Sequence, residues 1–355
     1  MHRRSILSFP ALLLVLGLAP GCGGDPPAHG ADAAVDGTPA RDAPAGDAAA
    51  AGDDAAADDA AVGDDAAAVD AAAADDAPTG GDGAVVLDGG LVRLRVMAAN
   101  TTSGNYQQYQ TPGIHIFQGL QPDIALIQEF RYGTGAGTEA EIRALVDLAF
   151  GPSFVYYREP PAGNGDLPNG IVSRFPILAA GEWDDPQVTN RDFAWARIDI
   201  PGPIDLWAVS VHLLTSSGAD RKAEAQALVA FVQAQVPAGD YLVIGGDFNT
   251  DDRAEQCWTT LAAIVDTGAP YPVDQNGNSF TSANRSKPYD WVIADPDLRP
   301  HQIPVVLGAS TFPAGLVVDS RVYTPLGEIA PVIASDSSAS SMQHMAVVKD
   351  FAIPP

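Results

Sequence analysis

Short apolar runs recur along the C-terminal part of the chain and predict buried strands. They are four to eight residues long and lie at 91–98, 124–127, 206–211, 241–244 and 291–294. The first run alternates between apolar and polar positions, and the others are almost continuously apolar.

Helical patterns separate some of these strands. Residues 138–150 begin with a capping box that pairs the first Thr with Glu141. Residues 219–236 place apolar side chains at helical spacing and end before a proline, and residues 252–265 form a third helical pattern. Mixed strands and helices of this extent indicate one α/β (α+β) domain over residues 85–355.

The N-terminus has the pattern of an export signal. Arg3 and Arg4 precede an apolar stretch at 6–19, which is too short to span a bilayer as a mature helix. The segment that ends at Cys22 (LAPGC) resembles a bacterial lipobox. We expect residues 1–21 to be a lipoprotein signal peptide, with Cys22 lipidated and the protein held at the outer membrane. The alternative is ordinary signal cleavage and a free extracellular protein.

Residues 22–84 are dominated by Ala, Asp, Gly and Pro, and Ile, Leu and aromatic residues are absent from this segment. Such a segment buries too little apolar surface to offset its ordering entropy, so a disordered linker is predicted. Repulsion among its Asp side chains favours extended conformations. Its expected role is to hold a catalytic domain away from the membrane.

The charge distribution limits the function classes. Residues 1–21 contribute +2 and residues 23–82 contribute −14, which leaves −14 of the net −26 for residues 83–355. A protein held on nucleic acid by a large cationic surface is therefore disfavoured, whereas an enzyme that contacts a few phosphates through a metal is not. The two cysteines, Cys22 and Cys257, form neither a disulfide framework nor a zinc cluster. Cys257 is predicted to be a buried or semi-buried thiol.

Polar side chains interrupt the apolar runs near strand ends. They are Asn100, Gln128, Glu129, His212, Asp247, Asn249, Asp290 and His344. Each by itself fits a turn cap or a packed histidine. Because strand ends on one side of a sheet converge in space, the whole set predicts one polar cleft.

The residue types in this set suit metal-assisted hydrolysis. Glu129 and Asn100 supply the hard oxygen ligands that Mg²⁺ or Mn²⁺ prefers. Histidine and aspartate side chains transfer protons and orient a nucleophile. The chain has neither a Gly-rich phosphate loop with a lysine nor a G-x-S-x-G elbow, which disfavours nucleotide-driven transfer and a serine hydrolase. Hydrolysis of a phosphoester by water and a metal ion is the remaining prediction.

The motifs around these residues resemble those of the endonuclease/exonuclease/phosphatase superfamily. Its members include pancreatic-type deoxyribonuclease, abasic-site endonucleases, neutral sphingomyelinases and inositol-polyphosphate phosphatases. The matching segments are IALIQEF, NGIVSRFPI, VSVHLLTS and GGDFNTD, and the resemblance extends over about residues 91–352. It implies a four-layer sandwich in which two packed mixed β-sheets are flanked by helices.

The resemblance also implies roles for individual residues. Glu129 would bind the metal ion with Asn100 beside it. Asp247 and Asn249 would position the attacking water and the phosphate, with Asp247 as one candidate base.

The histidines and one amide complete the implied site. His344, held by Asp290, would contact the phosphate or act as base. His212 would stabilise developing charge or protonate the leaving oxygen. Asn169 would contact the substrate or His212.

Two departures from the family pattern stand out. Ala99 replaces the tryptophan that often precedes the Asn of the first motif, which we expect to change packing only. Gln343 replaces the aspartate of the final Ser-Asp-His motif, and a neutral amide binds Mg²⁺ less well than a carboxylate does. We therefore expect one dominant metal site, with Asp336 as a potential substitute ligand.

Three functions stay open at this level. The first is a secreted or surface-tethered nuclease, a monomer and Mg²⁺-dependent hydrolase acting on extracellular nucleic acid. The second is a phospholipid or sugar-phosphate phosphoesterase, for which 308–318 is a weak apolar membrane-contact loop. The third is a noncatalytic adhesion module. Specificity is expected to depend on loops at 101–118, 157–168 and 270–288.

Overall fold

A computed structural model describes residues 85–134, 137–161 and 165–355 of the chain. The predicted signal peptide, the lipidation site at Cys22 and the linker at 22–84 lie outside the described residues. The helices are α1 (Thr111–Leu120), α2 (Glu139–Ala149), α3 (Gly218–Gln235) and α4 (Gln256–Leu261). The strands are β1 (Val92–Ala99), β2 (Ile124–Ile127), β3 (Val155–Arg158), β4 (Gly170–Ser173), β5 (Ile177–Trp183), β6 (Phe193–Ile198), β7 (Leu206–His212), β8 (Tyr241–Asp247), β9 (Asp290–Ala294), β10 (Gln302–Ile303), β11 (Val305–Leu307), β12 (Ser310–Phe312), β13 (Leu316–Val317) and β14 (Val347–Ile353).

Two β-sheets form the centre of the domain. Sheet A has the order β10-β14-β1-β2-β4-β3, with β13 also paired to β14, and sheet B has the order β5-β6-β7-β8-β9. One apolar cluster lies between the sheets and takes side chains from both. A second joins sheet A to α1 and α2, and a third joins sheet B to α3 and α4. The predicted sandwich of two mixed sheets flanked by helices is therefore confirmed.

Each large sheet contains one parallel strand pair, and this pairing decides where the strand ends lie. β1 runs parallel to β2 in sheet A, and β7 runs parallel to β8 in sheet B, with α1 and α3 in the two crossovers. β14 and β9 run antiparallel beside β1 and β8. The first residues of β9 and β14 consequently lie at the same sheet edges as the last residues of the parallel pairs.

Most of the predicted elements form close to the expected positions. The strand at 124–127 is observed with those bounds, and α2 begins with the predicted capping box, in which Thr138 accepts from the Glu141 N–H and Glu141 accepts from the Thr138 N–H. The helix predicted at 252–265 is shorter than expected. The Asp252 carboxylate accepts a hydrogen bond from the Ala254 N–H at 2.7 Å, which forms a turn and delays the helix start to Gln256.

Helix α1 occupies part of the segment that the sequence analysis assigned to a loop at 101–118. Its N-terminus has a proline in the first turn but lacks a capping side chain, and it contains two glycines that lower helix propensity. Both glycines permit close approach. A Cβ at Gly113 would lie 2.2 Å from the Thr101 carbonyl oxygen, and one at Gly119 would lie 2.2 Å from that of Ile329. Tertiary packing therefore requires the residues that weaken the helical pattern.

Several apolar side chains whose role the sequence left open are buried in the fold. Residues 308–318 include β12 and β13, and Phe312, Leu316 and Val318 are part of the apolar core. Cys257 is a buried free thiol, as expected. Among the described residues, no helix is both long enough and apolar enough to cross a membrane.

Buried hydrogen bonds join β2 of sheet A to β7 of sheet B, and β8 packs against them. Gln128 follows β2 and donates from Nε2 to Ser210 Oγ on β7 at 2.8 Å, and Ser210 Oγ donates to the Ile127 carbonyl oxygen at 2.9 Å. Gly246 lies against this link. Its φ is +139°, and a Cβ there would lie 2.1 Å from the Val211 carbonyl oxygen and 2.6 Å from Gln128 Nε2.

We predict that Gly246→Ala lowers the free energy of unfolding by about 2–5 kcal/mol, because backbone strain and overlap with fixed backbone atoms act together. Gly239→Ala is the matched control, since Gly239 also has a positive φ (+97°) but an added Cβ meets nothing within 4 Å. Urea unfolding of both variants measures the difference. Equal losses would show that backbone strain alone, and not the close approach, accounts for the effect.

Candidate active site

Buried carboxylates from both sheets meet at the shared strand edge. Glu129 follows β2, whereas Asp247 and Asp290 pair with each other across β8 and β9. The Asn100 amide, just after β1, lies between the sheets, with its Nδ2 3.3 Å from Glu129 Oε1 and 3.1 Å from Asp247 Oδ2. Thr102 Oγ1 donates to Glu129 Oε2 at 2.9 Å. The structure thus brings together the residues that the sequence analysis assigned to the metal and water positions.

Two histidines face the same carboxylate oxygen. His212 Nε2 at the end of β7 and His344 Nε2 just before β14 both lie 3.4 Å from Asp247 Oδ2. The other ring nitrogen of His344, Nδ1, lies 3.1 Å from Asp290 Oδ2. The predicted support of His344 by Asp290 is therefore present in the structure.

The histidines differ in electrostatic environment. Burial alone would lower the pKa of His344, but the nearby carboxylates of Asp247, Asp290 and Glu129 outweigh it and raise this pKa to about 10. Burial lowers the pKa of His212 well below its ordinary value, and the charges of Arg191 and His344 lower it further. At neutral pH one histidine is cationic and the other is a neutral imidazole.

The neighbouring protein groups balance only part of the negative charge on these carboxylates. Burial is the largest cause that raises the pKa of Glu129, of Asp290 and of Asp247, the last to about 6. Asn100 Oδ1 is also buried and has no hydrogen-bond partner among the described residues. Ligand atoms of Asp247, Asp290 and His344 lie within 4.8 Å of one another. The carboxylate and amide oxygens of this cluster, without the cationic His344, are the donor types that suit a hard divalent cation.

Left-handed backbone conformations mark the ends of two strands that carry site residues. Glu129 has a φ of +52° and Asn249 a φ of +50°, which is uncommon for residues other than glycine. The Asn249 N–H donates to Asp247 Oδ1 at 2.9 Å, and its Nδ2 donates to the Leu213 carbonyl oxygen. Asn249 thus orients Asp247 and joins the ends of β7 and β8.

Helix α3 holds the loop that follows His212. The buried Arg221 donates to the Leu214 and Thr215 carbonyl oxygens and forms an ion pair with Glu255 at 2.8 Å. Glu224 accepts from the Leu214 N–H at 2.9 Å. These contacts explain why an Arg and a Glu follow the histidine motif in the sequence.

These groups open into a cleft of about 350 Å³. Its described lining residues are Gln107, Glu129, Leu167, Val188, Asn190, Arg191, His212, Leu214, Thr215, Asp247, Asn249, Gln343 and His344. Gln343, the departure from the family's final motif, is exposed at the rim.

Arg191 is a site residue that the sequence analysis did not single out. It is the one cationic side chain other than histidine among the described residues that line the cleft. Its guanidinium donates to the carbonyl oxygens of His212 and Leu213. No sequence signal identified it, because its position follows from the antiparallel pairing of β6 with β7, which places the residues before β6 beside the end of β7.

One sequence-based assignment differs from the structure, and the surroundings of two other residues are now defined. Asp336 does not replace the missing family aspartate, because its carboxylate pairs with His115 at 3.0 Å beside α1. Arg285, in the predicted specificity loop at 270–288, forms ion pairs with Asp274 and Asp319. Asn169 is fully buried and donates from Nδ2 to the Asp192 carbonyl oxygen at 2.6 Å. A contact between Asn169 and substrate or His212 stays a prediction.

Comparison with known proteins identifies similar sequences and folds. The model of the Endonuclease/Exonuclease/phosphatase family matches residues 114–336. An endonuclease/exonuclease/phosphatase from Bacteroides vulgatus is similar in fold at 14% identity, with 74% of this chain and 99% of that chain covered and a TM-score of 0.52. A functionally unknown conserved protein from Enterococcus faecalis V583 gives 11% identity, 74% and 100% coverage and a TM-score of 0.51.

A further similar structure has a nucleic acid in it. D. rerio TDP2, solved with a single-strand DNA product, gives 14% identity, 73% and 98% coverage and a TM-score of 0.46. No curated protein matches the sequence. At these identities the solved structures support the fold and not a particular substrate.

The buried carboxyl of Glu159 makes the stability of the fold depend on pH, which can be tested. Glu159 Oε2 accepts from the N–H groups of Asn169 and Asp192, and burial raises the pKa of Glu159 to about 8. Between its ordinary pKa near 4.5 and pH 8 the unfolded chain loses this proton while the folded chain keeps it. The contribution of Glu159 to stability is therefore fully present at low pH and is lost as the pH rises toward 8.

We predict that Glu159→Gln removes this loss of stability at rising pH. The stability of the variant relative to the wild type should improve by on the order of 3 kcal/mol between pH 5 and pH 8. Urea unfolding at several pH values measures it. Parallel stability curves for the two proteins would show that Glu159 keeps an ordinary pKa in the folded state.

Proposed function

Because this chain belongs to the Endonuclease/Exonuclease/phosphatase family, we propose that it is a metal-dependent phosphodiester hydrolase that acts on nucleic acid. One observation carries the proposal. Three buried carboxylates, an amide and two histidines of unlike charge form one cluster, although they come from six separate places in the sequence. Four of these residues, Glu129, His212, Asp247 and His344, line the open cleft. A structural role alone gives no reason to bury that much like charge together.

The metal ion, Mg²⁺ or Mn²⁺, would be held by Glu129 and Asn100, with Asp247 beside them. The donor set is oxygen-rich, and Asn100 Oδ1 is a buried acceptor still without a partner among the described residues. When bound, such an ion neutralises phosphate charge and the charge that develops on the oxygens around phosphorus.

The protein groups supply orientation and proton transfer. Asp247 and Asn249 position the attacking water and a phosphate oxygen. His344, kept cationic by its carboxylate neighbours, contacts the phosphate and stabilises its negative charge. His212 is a neutral imidazole next to Asp247, so it exchanges a proton at Nε2.

The surroundings of the cleft favour nucleic acid over a lipid headgroup. The apolar side chains of Phe312, Leu316 and Val318 in the weak membrane-contact segment at 308–318 pack in the core, so they are not available for insertion into a bilayer. The cleft walls present the polar side chains of Gln107, Asn190 and Gln343. Polar walls suit a hydrophilic backbone with separated phosphates.

Export and membrane attachment form a second part of the proposal. The sequence of residues 1–22 supports a lipid anchor on Cys22, and the acidic composition of 22–84 supports a tether between anchor and enzyme. The enzyme would then act on nucleic acid outside the cell, either at the outer membrane or after release.

Hydrolysis assays on the full-length protein test the activity. Plasmid DNA, RNA, sphingomyelin and bis-p-nitrophenyl phosphate are offered with Mg²⁺, with Mn²⁺ or with EDTA. We predict metal-dependent nucleic-acid cleavage that falls at least about 100-fold in His344→Ala, because a proton-handling or charge-stabilising group is lost. Glu129→Gln should raise the metal concentration for half-maximal activity at least about tenfold.

His301→Ala is the matched histidine control, since His301 contacts Tyr241 at the opposite end of β8 and should leave the rate unchanged. No turnover of any substrate with any metal would contradict the enzyme assignment. Exclusive turnover of sphingomyelin would contradict the choice of nucleic acid.

For the anchor, we predict that wild-type protein expressed in a Gram-negative host fractionates with the outer membrane and carries a diacylglyceryl group at Cys22. Cys22→Ser should release it from the membrane, because the thioether cannot form. Mass spectrometry of the N-terminal peptide measures this. A wild-type N-terminus without lipid would identify ordinary signal cleavage.

A further inference from the structure

Tyr106 presents an aromatic ring to solvent in the loop between β1 and α1, next in sequence to the cleft residue Gln107. Its side chain is 81% exposed, more than any other large apolar side chain among the described residues. The others with high exposure lie on outer helices, strands and turns, such as Leu148 at the end of α2 and Leu178 on β5. Its exposure therefore distinguishes Tyr106 from the other large apolar side chains, and it lies in the loop that follows Asn100.

The backbone holds this ring outward at an energetic cost. Tyr106 has a φ of +60° and Gln107 a φ of +54°, a conformation that glycine adopts readily and a bulky side chain does not. The N–H groups of Ser103 and Gly104 donate to the Gln108 carbonyl oxygen at 3.1 and 3.0 Å, which closes the base of the loop. Two adjacent left-handed residues in a closed loop indicate a defined backbone conformation at Tyr106.

The loop is attached to the active site through the next residue. Gln107 Nε2 donates to Glu129 Oε1 at 3.1 Å, and Gln107 lines the cleft. On the other side of the loop, the Tyr109 hydroxyl donates to the Ala99 carbonyl oxygen at 2.6 Å, and the Gln128 carbonyl oxygen lies 3.1 Å away. Tyr106 is thus one residue from a side chain in contact with a proposed metal ligand.

We propose that Tyr106 is a specificity-determining residue that stacks on an unpaired nucleobase next to the scissile phosphate, so that the preferred substrate is single-stranded nucleic acid. This inference rests on the proposed nuclease function. An aromatic ring recognises the face of a base, and that face is accessible only when the base is unstacked.

The charge of the domain favours a mode of recognition that does not depend on cationic contacts. Electrostatic binding of nucleic acid depends on many cationic contacts with phosphates, whereas residues 83–355 carry a net charge of −14. The cleft contributes one guanidinium, that of Arg191, and it is hydrogen-bonded to backbone carbonyls. With few cationic contacts available, stacking on a base supplies a binding contribution that does not depend on charge.

The test uses full-length protein and short single-stranded oligonucleotides with one cleavable phosphate. One series carries a base on each side of that phosphate, and two others carry an abasic tetrahydrofuran on the 5′ or the 3′ side. Wild type, Tyr106→Phe, Tyr106→Ala and the control Leu178→Ala are compared by kcat and KM. Thermal unfolding of Tyr106→Gly checks the fold, because glycine suits a φ of +60°.

We expect Tyr106→Ala to raise KM on the order of tenfold for the substrate with both bases, with kcat nearly unchanged. Tyr106→Phe keeps the ring and should behave as wild type, as should Leu178→Ala. The effect of Tyr106→Ala should disappear for one of the two abasic substrates, which identifies the stacked position. Tyr106→Gly should unfold at a temperature no lower than that of wild type.

Other outcomes would overturn the inference and are distinguishable from failure of the proposed function. Equal KM increases with and without the base would show that Tyr106 only supports the loop. An unchanged KM in Tyr106→Ala, with normal wild-type cleavage, would remove Tyr106 from recognition and leave the nuclease intact. Absence of wild-type cleavage of every oligonucleotide would refute the nuclease itself.

Discussion

A single buried carboxylate oxygen, Asp247 Oδ2, organises the cleft. It lies 3.1 Å from the Asn100 amide and 3.4 Å from the Nε2 atoms of both His212 and His344. These three neighbours come from β1 in one sheet, from β7 in the other, and from the segment before β14. Because one acceptor is shared by three groups, a shift of any of these strands disturbs all the contacts at once. The strands that carry these residues hold this oxygen and its neighbours in place.

The close approach of the two sheets makes this arrangement feasible. Gly245 and Gly246 at the end of β8 leave room for Leu126, for the Gln128 amide and for the Val211 carbonyl oxygen. A side chain at either position would push β8 away from β2 and separate Asp247 from Asn100. The two glycines of the GGDFN segment are therefore part of the site geometry although neither contributes a functional group.

The site has more acidic than cationic groups, and this imbalance is useful for phosphate chemistry. Burial disfavours ionisation of Glu129, Asp247 and Asp290, and the cationic His344 offsets only part of their charge. A divalent ion would supply the missing positive charge and would also neutralise the charge of a phosphate substrate. His212 stays neutral beside this cluster because its own burial and two neighbouring cations oppose a further charge.

The sequence by itself determined the strands around 124–127 and 241–244, the capped helix α2 and the set of strand-end residues that forms the cleft. These depend on local patterns: apolar runs, a capping box and polar residues at strand ends. Only the tertiary structure decided that α1 is helical, that Arg191 lies beside His212, and that Asp336 belongs to His115 and not to the cleft. Such features depend on contacts between residues far apart in the chain, and single-sequence periodicity does not encode which distant partner a side chain meets.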